Sequence, residues 1–96
     1  MKKIQAIASG EVQGVGFRMY TQTQAEELGV VGFVQNLIDG TVKIVAAGED
    51  DKVDALIDWA KSGSPPANVD NLEIETMEYQ ADEFDRFEIR RFRPNQ

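Results

Sequence analysis

The chain has 96 residues, carries a formal net charge of −7 and contains neither cysteine nor histidine. These absences exclude disulfides, thiolate metal sites, iron–sulfur clusters, a cysteine nucleophile, imidazole acid–base chemistry, the Ser-His-Asp arrangement and most zinc sites. The length predicts one domain over residues 1–96, and 42% hydrophobic with 28% charged residues fits a globular chain rather than a disordered one.

In chain order, Ile4 to Ser9 alternates, with Ile4, Ala6 and Ala8 on one face and Gln5, Ile7 and Ser9 on the other, as in a strand. A glycine-rich turn follows, Gly10-Glu11-Val12-Gln13-Gly14-Val15-Gly16. Phe17 to Leu28 is free of Gly and Pro, places Phe17, Thr21, Ala25 and Leu28 on one stripe, and meets a stop at Gly29, which predicts a helix. Val30 to Leu37 is rich in strand formers, Asp39-Gly40 is a hairpin turn, and Thr41 to Ala47 is the return strand. Glu49, Asp50 and Asp51 precede a second helical stripe, Val53, Leu56, Ile57 and Ala60, with Trp59 beside it as partial core and Gly63 as its end. Ser62 to Asn68, with Pro65-Pro66, reads as a loop. Val69 to Tyr79 is a further strand with Leu72, Ile74 and Met77 turned inward, Ala81 to Asp85 a solvated acidic turn, Phe87 to Ile89 a short last strand, and Arg90 to Gln96 a fraying tail.

The order β-α-β-β-α-β plus a short strand predicts a ferredoxin-like split βαβ sandwich, an antiparallel sheet with two helices on one face. In that topology the third strand lies between the first and second. The turn carrying Arg18 and the strand end carrying Asn36 then share one end of the sheet. No apolar run reaches membrane-spanning length and Met1-Lys2-Lys3 does not open a signal peptide, so a cytoplasmic protein is expected, with no membrane partner.

Arg18 is the only cationic side chain between Lys3 and Lys43. A lone guanidinium beside glycine-rich backbone at a helix start can hold a phosphate, and in an acidic chain such a site must be built locally. The acidic balance speaks against nucleic acid, and Ile4 to Ser9 and Thr41 to Ala47 offer no aromatic side chain on which a base could stack.

Val12-Gln13-Gly14-Val15-Gly16-Phe17-Arg18 closely resembles the active-site signature of the acylphosphatase family, and Gly32-Phe33-Val34-Gln35-Asn36-Leu37-Ile38-Asp39-Gly40 resembles that family's second signature. Gly48-Glu49-Asp50, Gly63-Ser64-Pro65 and Phe87-Glu88-Ile89-Arg90 also match by position, so the similarity spans nearly the whole chain. The resemblance implies metal-free, cofactor-free hydrolysis of a small-molecule acyl phosphate to a carboxylate and inorganic phosphate by a monomer. It implies that Arg18 binds the phosphoryl oxygens, that the amides of Gly14, Val15, Gly16, Phe17 and Arg18 line the cradle, and that Asn36 positions the attacking water. Arginine suits the task as a planar, permanently charged fork, and an amide can orient water without adding negative charge beside an anion. With no histidine, a phosphoryl oxygen of the substrate is left to accept the proton, and a carboxylate leaves without a protein acid. Glu11, Phe33, Gln35 and Ile38 depart from the family pattern, and Glu11 and Gln35 weaken the local positive field. The other reading is a non-catalytic anion-binding module, for which Asn36 would have no use.

Overall fold

The structure, a computed structural model, describes residues 1–14, 16–62 and 67–91. Its elements are β1 (Lys2–Glu11), α1 (Phe17–Leu28), β2 (Val31–Asn36), β3 (Val42–Gly48), α2 (Asp50–Ser62), β4 (Asn68–Met77) and β5 (Phe87–Arg90). The strands form one sheet in the order β4-β1-β3-β2-β5. β3 lies antiparallel between β1 and β2, so β1 and β2 run the same way and end at the same edge.

The period-two alternation of β1 buries Ile4, Ala6 and Ala8 against the helices, where Val34, Val42, Ile44 and Ala46 join them. The helical stripes supply the other half of the core: Phe17, Thr21 and Ala25 from α1 and Val53, Leu56 and Ala60 from α2 are buried. Trp59, partly buried, stacks on Phe17 with ring centroids 5.9 Å apart and planes 9° apart. That contact ties α2 to the first turn of α1. Gly29 ends α1 in the left-handed conformation with its N–H on the carbonyls of Ala25 and Glu26, as its position predicts. Gly63, the expected stop of α2, and Pro65-Pro66 lie outside the described residues.

Three expectations need correction. The sheet is mixed rather than antiparallel throughout, because β5 pairs parallel to β2. Ile74 pairs with Ala6 on the helix side of the sheet yet is 40% exposed, because β4 is the edge strand. Met77 pairs with Lys3 and therefore lies on the opposite face from Ile74. Residues 78–86 must cross from one sheet edge to the other, a span of about 19 Å at ~4.8 Å per strand that nine extended residues reach easily. They cross the face away from the helices and cover it. Phe84 packs edge-on against Phe33 at 6.1 Å, and Lys3 lies 5.7 Å over the Phe84 ring. Lys3 Nζ donates to both Glu83 oxygens at 2.8 and 2.9 Å, so Glu83 is paired within a turn that is exposed, as expected. Phe33 is thereby 8% exposed on a face that would otherwise be wet.

This crossing fixes the direction of β5. The chain arrives beside the start of β2, with the Gly32 N–H on the Arg86 carbonyl at 3.0 Å, and runs parallel to β2 toward the end that carries Asn36.

Gly32 is the tightest point of the sheet. Its φ is +139°, and a Cβ there would sit 1.9 Å from the Val45 carbonyl oxygen. That obstacle is backbone, so nothing can rotate away. Gly32→Ala is expected to destabilise the protein by about 3 kcal/mol or more. Gly40→Ala, with open space around the new methyl, should cost only about 1–2 kcal/mol. Urea melts of the two variants measure the difference, and equal losses would show that the clash at Gly32 is relieved by a backbone shift.

Candidate active site

The turn after β1 is shaped by two glycines. Gly14 has φ +74° and Gly16 has φ +79°, values that L side chains rarely adopt. Gly16 is also the N-cap of α1. It has no side-chain oxygen to offer, and the first turn of α1 holds no acidic residue. The leading N–H groups of this helix are therefore left without a side-chain acceptor. The start of α2 differs, with Asp50 and Asp51 in its own first turn. Positive backbone character is thus neutralised at one helix start and kept open at the other.

Phe17, 1% exposed, anchors the helix start in the core and holds its neighbour Arg18 at the surface. One Arg18 Nη donates to the Arg90 carbonyl at 3.3 Å, which ties the guanidinium to the end of β5. A cavity of about 170 Å³ opens beside it. Gly14, Gly16, Phe17 and Arg18 line it, over buried Val12 and between the exposed side chains of Met19 and Ile89. Four of the predicted cradle residues therefore face one space. The fifth, Val15, lies outside the described residues.

Asn36 is not part of that lining. It is the last residue of β2 and pairs with Val42, which places its side chain on the helix side of the sheet, the face on which Phe17 packs. Its Oδ1 is the buried side-chain oxygen left without a hydrogen-bond partner among the described residues. Leaving such a carbonyl unpaired costs about 1–3 kcal/mol, and an atom of this kind in a folded protein calls for an explanation.

Gln13 joins the two halves of the site. Its side-chain amide donates to the Leu37 and Thr41 carbonyls, both at 2.8 Å. Both protons of one amide thus bind the glycine turn to the β2–β3 hairpin immediately beyond Asn36. The hairpin is braced from its own side by Asp39, whose Oδ1 accepts from the Thr41 N–H at 3.0 Å and from the Thr41 hydroxyl. The Thr41 hydroxyl first, and its N–H second, hold the Asp39 carboxyl below its ordinary value of 3.8. Because the folded value lies below the unfolded one, this brace is complete at neutral pH and is lost as pH falls through the lowered value.

Sequence reasoning missed Gln13 as a bridge, and Met19, Ile89 and the Arg90 carbonyl as neighbours of Arg18. Nothing in the local pattern says that a glutamine before a glycine reaches a hairpin more than twenty residues away. Arg90, read as the start of a fraying tail, is instead the last residue of β5, with its guanidinium 3.9 Å over the Phe33 ring. Gln35, beside it, donates to the Arg91 carbonyl at 3.0 Å. Among the described residues no three His, Cys, Asp or Glu side chains are grouped to hold a metal ion, and no helix is long and apolar enough to cross a membrane.

Comparison with known proteins gives a consistent result. The acylphosphatase family model matches residues 4–89. An acylphosphatase of Acaryochloris marina is 47% identical over 88 residues, covering 92% of each chain. The crystal structure of an acylphosphatase from Bacillus subtilis superposes with a TM-score of 0.87 at 32% identity, covering 93% of this chain and 98% of that one. An acylphosphatase from Coxiella burnetii superposes with a TM-score of 0.86 at 38% identity, covering 93% and 92% respectively.

The Gln13 bridge makes a specific prediction. Gln13→Ala removes two hydrogen bonds, at a cost of about 1–2 kcal/mol, while the Leu37 carbonyl keeps the Gly40 N–H and the Thr41 carbonyl keeps the Leu37 N–H. Gln13→Glu aims a carboxylate at those same carbonyls and should cost more than Gln13→Ala at pH 7. Chemical denaturation of the two variants ranks them, and a Glu variant as stable as the wild type would dissolve the bridge.

Proposed function

The chain belongs to the acylphosphatase family, and on that premise we propose how its residues hydrolyse the carboxyl–phosphate anhydride. Arg18 and the N–H groups of the cradle hold the phosphoryl oxygens. The guanidinium supplies a charged fork, and the open start of α1 supplies oriented amides at no further reorganisation. A water donates one O–H to Asn36 Oδ1, which leaves its lone pair free to attack phosphorus. The bond from phosphorus to the acyl oxygen breaks, and its electron pair leaves with the carboxylate. The water's proton passes to a phosphoryl oxygen, giving inorganic phosphate. The leaving carboxylate is a weak base, so no protein acid is needed. Rate enhancement then comes from positioning and electrostatic stabilisation. All residues of this scheme belong to one chain, so a monomer suffices.

The unpartnered Asn36 Oδ1 is the observation that carries this reading. Binding an anion calls on donors. Guiding a water needs an acceptor. Gln13 supports the assignment by tying the Asn36 strand to the cradle turn.

The two roles are separable by experiment. Arg18→Lys keeps the charge and loses the fork, so turnover should fall by ~10²–10³, nearly as far as in Arg18→Ala. Steady-state assays on an acyl phosphate check this, and near wild-type turnover in Arg18→Lys would remove Arg18 from the role.

Inorganic phosphate binds the folded state and should raise stability by ~2.7 kcal/mol at a hundredfold excess over its dissociation constant. That gain should vanish in Arg18→Gln and persist in Asn36→Ala while turnover collapses, because water positioning matters in the transition state. Thermal melts with and without phosphate, run beside the assays, read both effects. Full turnover in Asn36→Ala would contradict the water-positioning role.

A further inference from the structure

Large apolar side chains exposed among the described residues are Met1, Met19, Tyr20, Ile38, Ile74 and Ile89. Single exposed apolar residues need no explanation. Their grouping does. Met19 follows Arg18 in the first turn of α1, and Ile89 arrives from β5 at the far end of the sequence, yet both line the cavity that holds Arg18, Gly14 and Gly16. Met19 is 64% exposed and Ile89 38% exposed. Ile89 stands on the helix side of the sheet because it pairs with Val34, and it reaches the site because β5 runs parallel to β2. Apart from Arg18, every side chain lining the cavity among the described residues is apolar.

The geometry points to Met19 and Ile89 as a subsite for the acyl group, favouring aromatic rings and larger apolar acyl chains over small ones. This rests on the assignment of Arg18 and the cradle amides to the phosphoryl group. An acyl phosphate has two ends of opposite character. With the phosphoryl end held by the guanidinium and the amides, the carbonyl substituent must leave the cradle past a thioether and a branched alkyl chain. An apolar substituent laid over them removes apolar surface from water on both partners. A methyl group has less apolar surface to lay there and gains less. The unbranched, polarisable Met19 can follow substituents of different outline, so the subsite selects a class rather than one acid. Because the mouth is open, the preference is modest and falls mainly on KM.

The test compares benzoyl phosphate with acetyl phosphate in the wild type, Met19→Ser, Ile89→Ser and the double variant. Intrinsic reactivity differs between the two substrates but cancels when their kcat/KM ratio is compared across proteins. Each single variant should lower the benzoyl-to-acetyl ratio by about fivefold, and the double variant by more, with the change in KM for benzoyl phosphate. Inhibition by inorganic phosphate, which reports the cradle alone, should not change. An unchanged ratio in both single variants overturns the subsite. So does a parallel loss of both substrates with weaker phosphate inhibition, which would make these residues supports of the cradle. Arg18→Gln is run alongside: if it retains turnover of both substrates, the phosphate assignment fails, and the subsite fails with it.

Discussion

The hydrogen bonding of β3 on both of its edges is the constraint from which the site follows. Antiparallel pairing to β1 on one side and to β2 on the other forces those two strands to run the same way. Their carboxyl ends then meet at one sheet edge. The first end opens into the glycine turn and Arg18, and the second ends in Asn36. Gln13 converts this shared edge into a fixed relation, because one amide holds the turn to the hairpin through two carbonyls. Any loosening of the β3 pairings would separate Arg18 from Asn36.

An acidic chain that handles an anion must concentrate its positive field. The structure does this with backbone as much as with side chains. α1 starts at a glycine in the left-handed conformation, with no capping oxygen and no acid in its first turn, whereas α2 carries two aspartates in its first turn. Arg18 adds a guanidinium at the open start, and the Arg90 carbonyl restrains it from the side.

β5 does more than its four residues suggest. The 78–86 segment must cross the helix-free face to reach it, and on the way Phe84 packs against Phe33 while Lys3 of β1 lies over the Phe84 ring and pairs with Glu83. The crossing delivers β5 parallel to β2, so Ile89 and the Arg90 carbonyl arrive beside Arg18. A strand added at the edge thus supplies a wall of the cavity and a restraint on its cation. The same crossing explains why Phe84 is half-buried within an otherwise exposed acidic turn, and why Arg90 closes a strand.

What the sequence by itself determined was local and periodic. The alternation of β1, the stripes of α1 and α2, the Gly29 stop and the Asp39-Gly40 turn are properties of neighbouring residues, so they are legible without coordinates, and the order of elements then fixes β3 between β1 and β2. Two signatures at the right separation identified the family and named Arg18 and Asn36. The direction of β5, the pairing of Glu83 with Lys3, the exposure of Ile74, the Gln13 bridge and the convergence of Met19 with Ile89 were decided only by the tertiary structure. Each depends on pairings or contacts between segments far apart in the chain, and side-chain periodicity carries no information about which distant segment will stand opposite. The unpartnered Oδ1 of Asn36 belongs to the same class, because whether an amide is satisfied depends on everything folded around it.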